Sequence, residues 1–174
     1  RTFAPETFDR IILEDELRNN IISFAGGNEN DLKRWGVYNF QKGGGRVALA
    51  YGPPGTGKTM TGEALAERLG RPLYAVSSME LGVHSSYFEE NFKKVIDRTE
   101  RWNAVTIIDE SELILRSRDL EAGDSNIRIT VVLRNLESLG RGMLWCTTNR
   151  PFDIDFAMES RIMGMFYFKF PNFN

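Results

Sequence analysis

The chain has 174 residues, 41% hydrophobic and 26% charged, the proportions of a single folded globular domain. Acidic and basic residues nearly cancel, 24 against 22 for a net charge of −2, which leaves no electrostatic surplus to draw nucleic acid or an anionic membrane surface. Cys146 is the only cysteine and His84 the only histidine, which excludes an intrachain disulfide and a Cys/His zinc site and points to a reducing compartment, with the cytoplasm expected. No apolar run approaches the ~20 residues that cross a bilayer, and the N-terminus carries no signal-peptide pattern. The chain opens on Arg1 and closes on Asn174, which suggests a piece of a longer protein.

Taken in chain order, residues 13–24 carry apolar positions at helical spacing and run into Gly26-Gly27, so a helix is expected there. A short helix is expected over 29–35, and Lys42-Gly43-Gly44-Gly45 reads as a turn or exposed loop. Residues 46–51 (RVALAY) form a buried strand and 58–69 a helix stopped by Gly70. A second strand is expected over 72–77, a long helix over 87–101, and a third strand over 104–109, apolar except for Thr106 and the terminal Asp109. A polar helix and loop run through Gly123, a helix covers 124–139, and two more strands lie at 142–147 and 164–168. Strands alternating with helices imply parallel pairing with helices on both faces, an α/β three-layer sandwich. Residues 1–45 are expected to form an N-terminal linker and helices packing on a core of 46–174, one domain overall. In such sheets ligands sit at the carboxyl ends of the strands.

Gly52-Pro53-Pro54-Gly55-Thr56-Gly57-Lys58-Thr59 is a full G-x-x-x-x-G-K-[ST] match between a strand and a helix. Glycines let the backbone curl so that its N–H groups cradle phosphate oxygens, and the helix N-terminus adds its positive dipole end. Lys58 is expected to reach the β- and γ-phosphates of ATP and Thr59 to ligate Mg²⁺, with Met60 next in the binding set. The bland alternative, an ordinary Gly-Pro turn, produces this pattern by chance in well under ~1% of chains of this length. Asp109 and Glu110 end the third strand. Asp109 suits a metal ligand acting through water, and Glu110, expected on the other side of the pleat, suits an acid that polarises an attacking water. Glu112 reads instead as solvated or as capping the next helix.

These residues, with Thr147-Thr148-Asn149-Arg150-Pro151 and the run from Glu100 through Ile108-Asp109-Glu110, resemble an AAA+ ATPase of the AAA clade over nearly the whole chain. The resemblance implies a P-loop core with a five-stranded parallel sheet in the order 5-1-4-3-2. It implies that Asn149 orients the attacking water, and that Arg161 is an arginine finger reaching a neighbouring subunit's ATP. Arg118 falls where family members carry a second inter-subunit arginine, with Arg116 competing for the role. The segment Phe8-Asp9-Arg10-Ile11-Ile12 resembles the strand that leads into the family's core and holds adenine through Ile11 and Ile12; core packing is the equal alternative. The loop Leu81-Gly82-Val83-His84-Ser85-Ser86-Tyr87-Phe88 lacks the aromatic-hydrophobic-Gly pattern of polypeptide-threading members. The helical lid that follows the fifth strand in the family is not among these residues, so alone they are expected to bind ATP weakly and hydrolyse it poorly.

The function this implies is Mg²⁺-ATP hydrolysis in a homo-oligomeric ring, a hexamer in most of the family, that remodels or disassembles a protein substrate. One alternative is a nucleotide-gated assembly module with little turnover, disfavoured by Glu110 and Arg161. The other is a nucleic-acid motor or loader, disfavoured by the near-neutral charge.

Overall fold

The computed structural model describes residues 3–26, 45–82, 86–115 and 123–170. Two N-terminal helices, α1 (Glu6–Asp9) and α2 (Asp15–Gly26), precede strand β1 (Arg46–Tyr51). There follow α3 (Lys58–Leu69), β2 (Leu73–Val76), α4 (Ser78–Leu81), α5 (Phe88–Trp102) and β3 (Val105–Ile108). Next come α6 (Glu112–Leu115), α7 (Gly123–Ser138), β4 (Met143–Thr148), a 3₁₀ turn (Pro151–Asp153), α8 (Phe156–Glu159) and β5 (Gly164–Tyr167). The expected helix over 29–35, the glycine loop up to Gly44, and His84, Arg116 and Arg118 lie outside the described residues.

The five strands form one sheet in the order β5-β1-β4-β3-β2, with every pair parallel, as expected. Side chains alternate across it. Val47, Leu49, Leu144 and Cys146 face one way, into a layer with Phe92 and Ile96 of α5 and Val132 and Leu136 of α7. Ala48, Ala50, Met143 and Trp145 face the other way, beneath Leu65 of α3 and Phe24 of α2. Period-2 alternation in strands buried on both sides thus builds the three layers.

The helices form because their apolar residues match the faces they cover. In α5, Phe88, Phe92, Val95, Ile96 and Thr99 are buried at three- and four-residue spacing. Each fully buried Phe or Ile contributes roughly 1.5–3 kcal/mol. Asn103 ends the helix at φ 50°, its N–H bonded to Glu100 O, which is why α5 stops one residue before Ala104 starts the approach to β3.

The N-terminal segment belongs to the same core. Phe8 and Ile21 are fully buried, and Phe24 meets Phe166 of β5 edge-on at 5.4 Å. Asp9 pairs with Arg68 at 3.0 Å, and the Ala4 N–H donates to Glu67 Oε2 at 3.0 Å, which ties α1 to α3. The expectation of a strand over residues 8–12 is corrected: Glu6–Asp9 is a single helical turn, and Arg10 and Ile11 continue it by donating to Thr7 O and Phe8 O. Pro5, at φ −58°, presets the first turn.

Candidate nucleotide site

The strand register assembles the site. Tyr51 of β1 lies beside Thr148 of β4, and Cys146 of β4 lies beside Ile108 of β3. The loop leaving β1, the acids after β3 and the residues ending β4 therefore emerge side by side at the carboxyl edge of the sheet.

Gly52 leaves β1 at φ 142°, and a Cβ there would stand 2.2 Å from Phe168 O, so only glycine fits. Gly57, at φ 88°, is the N-cap of α3, and its carbonyl accepts from Thr61 N at 2.9 Å. Lys58 is nearly buried, 7% exposed, and its Nζ donates to Gly52 O at 2.9 Å and Pro53 O at 2.6 Å. The ammonium thus occupies its own loop. Burial pulls it below the ordinary lysine value, opposed by the carboxylates of Glu112 and Asp109.

Thr59 Oγ1 donates to Asp109 Oδ1 at 2.8 Å, and Thr147 Oγ1 donates to the same oxygen at 2.9 Å. A hydroxyl and a carboxylate at this separation are the hard oxygen donors that magnesium takes together with phosphate and water. Among the described residues no group of three or more His, Cys, Asp or Glu could hold a metal ion.

Glu110 departs from the expected pleat. β3 stops at Ile108, and Glu110 adopts φ 52°, the left-handed region that a residue with a Cβ enters at a cost. Ser111 holds the turn: its N–H and its Oγ both donate to Thr147 O at 2.8 Å. Glu110 and Asn149 are exposed and line one cleft of about 750 Å³ together with Lys58, Thr59, Asp109 and Thr147. Glu112, expected to be solvated or to cap the next helix, is the first residue of α6, with its Oε2 shielded from solvent and without a hydrogen-bond partner.

A second cleft of about 850 Å³ adjoins the first, and Gly55, Thr56, Gly57 and Met60 line both. Its far wall is Ile11 and Ile12, the former 7% and the latter 81% exposed. Phe8 does not take part: its ring is sealed in the core, with the guanidinium groups of Arg18 and Arg68 at 5.9 and 5.6 Å from its centre.

Arg161 lies outside this constellation. It follows α8 and makes an ion pair with Glu137 of α7. Trp145 is a supporting residue missing from the sequence-based site. Fully buried on β4, it donates its indole N–H to Lys58 O at 3.0 Å and so anchors the first turn of α3. The signal was a tryptophan in an otherwise apolar strand, because a buried indole N–H needs an acceptor. Thr147 was missed too; it sits two residues before Asn149, the spacing that shares a sheet face. Cys146 is no nucleophile, since burial pushes its thiol up to about 12.

Residues 48–170 match the family described as "ATPase family associated with various cellular activities (AAA)". The chain is 27% identical, over 98% of its length, to the ATPase family AAA domain-containing protein 3A homolog of Drosophila melanogaster. It is 26% identical, over 95% of its length, to the ATPase family AAA domain-containing protein 3A of Homo sapiens. It spans 28% of the length of each of these relatives. In fold it is similar to a chain of the HORMA:CdnC:Trip13 complex of E. coli MS115-1, with a TM-score of 0.74 at 18% identity, covering 97% of this chain and 67% of that one. It is similar also to the FIGL-1 AAA domain in complex with ADP, with a TM-score of 0.71 at 21% identity, covering 95% and 56%. With that match running from the first strand past the fifth, and the phosphate-binding loop, strand-end acids and sheet order all in place, the chain belongs to the AAA family of ATPases and is a nucleotide-binding module.

Proposed function

We propose that this module binds ATP with magnesium and hydrolyses it at the interfaces of a homo-oligomeric ring, a hexamer, whose work is to remodel or disassemble a protein substrate. The observation that carries the reading is the meeting of Thr59 and Asp109 at 2.8 Å beside the buried Lys58, at the mouth of a loop shaped for phosphate. The ADP in the FIGL-1 structure and the protein assembly of the HORMA:CdnC:Trip13 complex support it by analogy.

In this reading the loop from Gly52 to Thr59, including Pro53, Pro54, Gly55, Thr56 and Gly57, wraps the triphosphate. Met60, Ile11 and Ile12 flank the base in the adjoining cleft. Thr59 and Asp109 would hold magnesium, which would neutralise charge on the phosphates. Lys58 exchanges its carbonyl partners for phosphate oxygens. Glu110 accepts a proton from a water that Asn149 orients; the water oxygen bonds to the γ-phosphorus while the bond to the β–γ bridging oxygen breaks, releasing ADP and phosphate. Arg161 of a neighbouring copy neutralises charge in the transition state, an effect of roughly 10³–10⁵ in rate for such fingers. Arg118 is assigned to the same interface.

The test is turnover against protein concentration in the full-length protein. Ring catalysis predicts a steep rise, and predicts that inactive Arg161→Ala and inactive Lys58→Ala subunits regain activity when mixed, because hybrid interfaces then hold one intact nucleotide loop and one intact finger. A specific activity independent of concentration, with no recovery on mixing, contradicts the proposal. Stimulation by DNA or RNA would move the reading to a nucleic-acid motor.

A further inference from the structure

Arg161 is tethered at three points. Its backbone N–H and that of Ile162 both bond to Met158 O, at 2.9 and 3.1 Å, so the end of α8 fixes where the side chain starts. Its Nη2 donates to the Glu137 carboxylate at the end of α7, and its Nη1 donates to Ser160 Oγ at 2.7 Å. Its Nε is shielded from solvent and has no partner.

Stability does not account for this arrangement. The pair is partly exposed, 27% for Arg161 and 52% for Glu137, and such pairs contribute about 0–1 kcal/mol. Hiding an unsatisfied N–H costs roughly 1–3 kcal/mol, which outweighs it. What the contacts do provide is direction. A guanidinium is a rigid planar fork of five N–H donors. With Nε turned inward and one hydrogen of each Nη engaged, the hydrogens left on Nη1 and Nη2 are those an incoming anion can take.

We propose that Glu137 is a positioning residue for Arg161: its carboxylate holds the guanidinium at the surface of the subunit so that the arginine meets the triphosphate of a neighbouring copy already oriented. The inference rests on the trans role of Arg161 proposed above. Glu137 touches no reacting atom and acts only through the arginine.

The E137Q variant of the full-length protein keeps the shape of the side chain and removes its charge. Turnover is expected to fall about tenfold, the scale of a loss of orientation. Nucleotide affinity by calorimetry and melting temperature should hold at wild-type values, and Glu137→Asp should retain most of the activity. Mixing E137Q subunits with Lys58→Ala subunits, which carry an intact Arg161–Glu137 pair, should restore turnover at hybrid interfaces. Turnover of E137Q at or above the wild-type level overturns the proposal, because the carboxylate is then a bystander or a restraint. If E137Q melts lower, the Asp variant decides: activity retained with a normal melting point supports positioning, and a tenfold loss at a normal melting point overturns the rescue on which it depends. The underlying reading fails separately, if Arg161→Ala keeps full turnover; an inactive Arg161→Ala beside a fully active E137Q removes only the role of Glu137.

Discussion

Lys58 and Glu110 each sit in an arrangement that costs energy on its own. Lys58 is buried with its charge on two backbone carbonyls, and desolvation works against its protonated form. An anion in the same loop relieves that penalty. Glu110 is held at φ 52° by Ser111, whose two bonds to Thr147 O reach across to β4. Backbone strain at an exposed acid inside a cleft is the kind that fixed surroundings maintain at reactive positions. Glu110→Gln is therefore expected to bind ATP with near wild-type affinity while losing hydrolysis by 10²-fold or more, roughly the worth of a positioned general base. Single-turnover assays with trapped nucleotide measure this; undiminished hydrolysis would remove Glu110 from the reaction. The identity of both residues was legible from the motif and the strand-end acids. Their geometry was not, because the turn at Glu110 depends on Thr147, 36 residues from Ser111 in sequence.

At the level of elements, α3 carries the phosphate loop, and its seating on the sheet decides where that loop points. The helix buries Thr61, Gly62, Ala64, Leu65 and Ala66, mostly small residues, and comes close to β4. A Cβ on Gly62 would lie 2.5 Å from Trp145 Cδ1, inside any real contact. Trp145 has little room to move, since it stacks on Phe166 at 5.7 Å and donates to Lys58 O. Gly62→Ala is thus expected to destabilise the fold by about 1–3 kcal/mol despite the better helix propensity of alanine. For a chain of this size that is a fall in melting temperature of several degrees, read by calorimetry. An unchanged or raised melting point would mean that α3 does not press on Trp145. Helix and strand periods made most elements legible, α5 above all. The strand expected at the N-terminal turn rested on the resemblance of residues 8–12 to the family's entry strand, and not on their own local pattern. The local signal was Pro5-Glu6, a proline and an acid where a helix begins.

At the scale of the molecule, parallel pairing follows from alternating strands and helices joined by crossovers, whereas the order of the strands was legible only through the resemblance to the AAA+ family. The same order sets β4 between β1 and β3 and brings three strand ends to one cleft. What sequence could not supply is the contact of Arg161 with Glu137 of α7, between residues 24 apart in sequence. Arg161 lines neither of the two clefts, as the proposed completion of catalysis between copies requires. Among the described residues no helix is long and apolar enough to cross a membrane.

The loop leaving β1 is proposed to receive a nucleotide's phosphates through Lys58. Isothermal titration calorimetry of the full-length protein with ATP and magnesium tests it most directly. Saturable binding that weakens by about tenfold to a hundredfold in a folded Lys58→Ala variant, the worth of one charge-assisted contact, is the predicted result. Absence of binding in the wild-type protein, or equal affinity in the two, would contradict it.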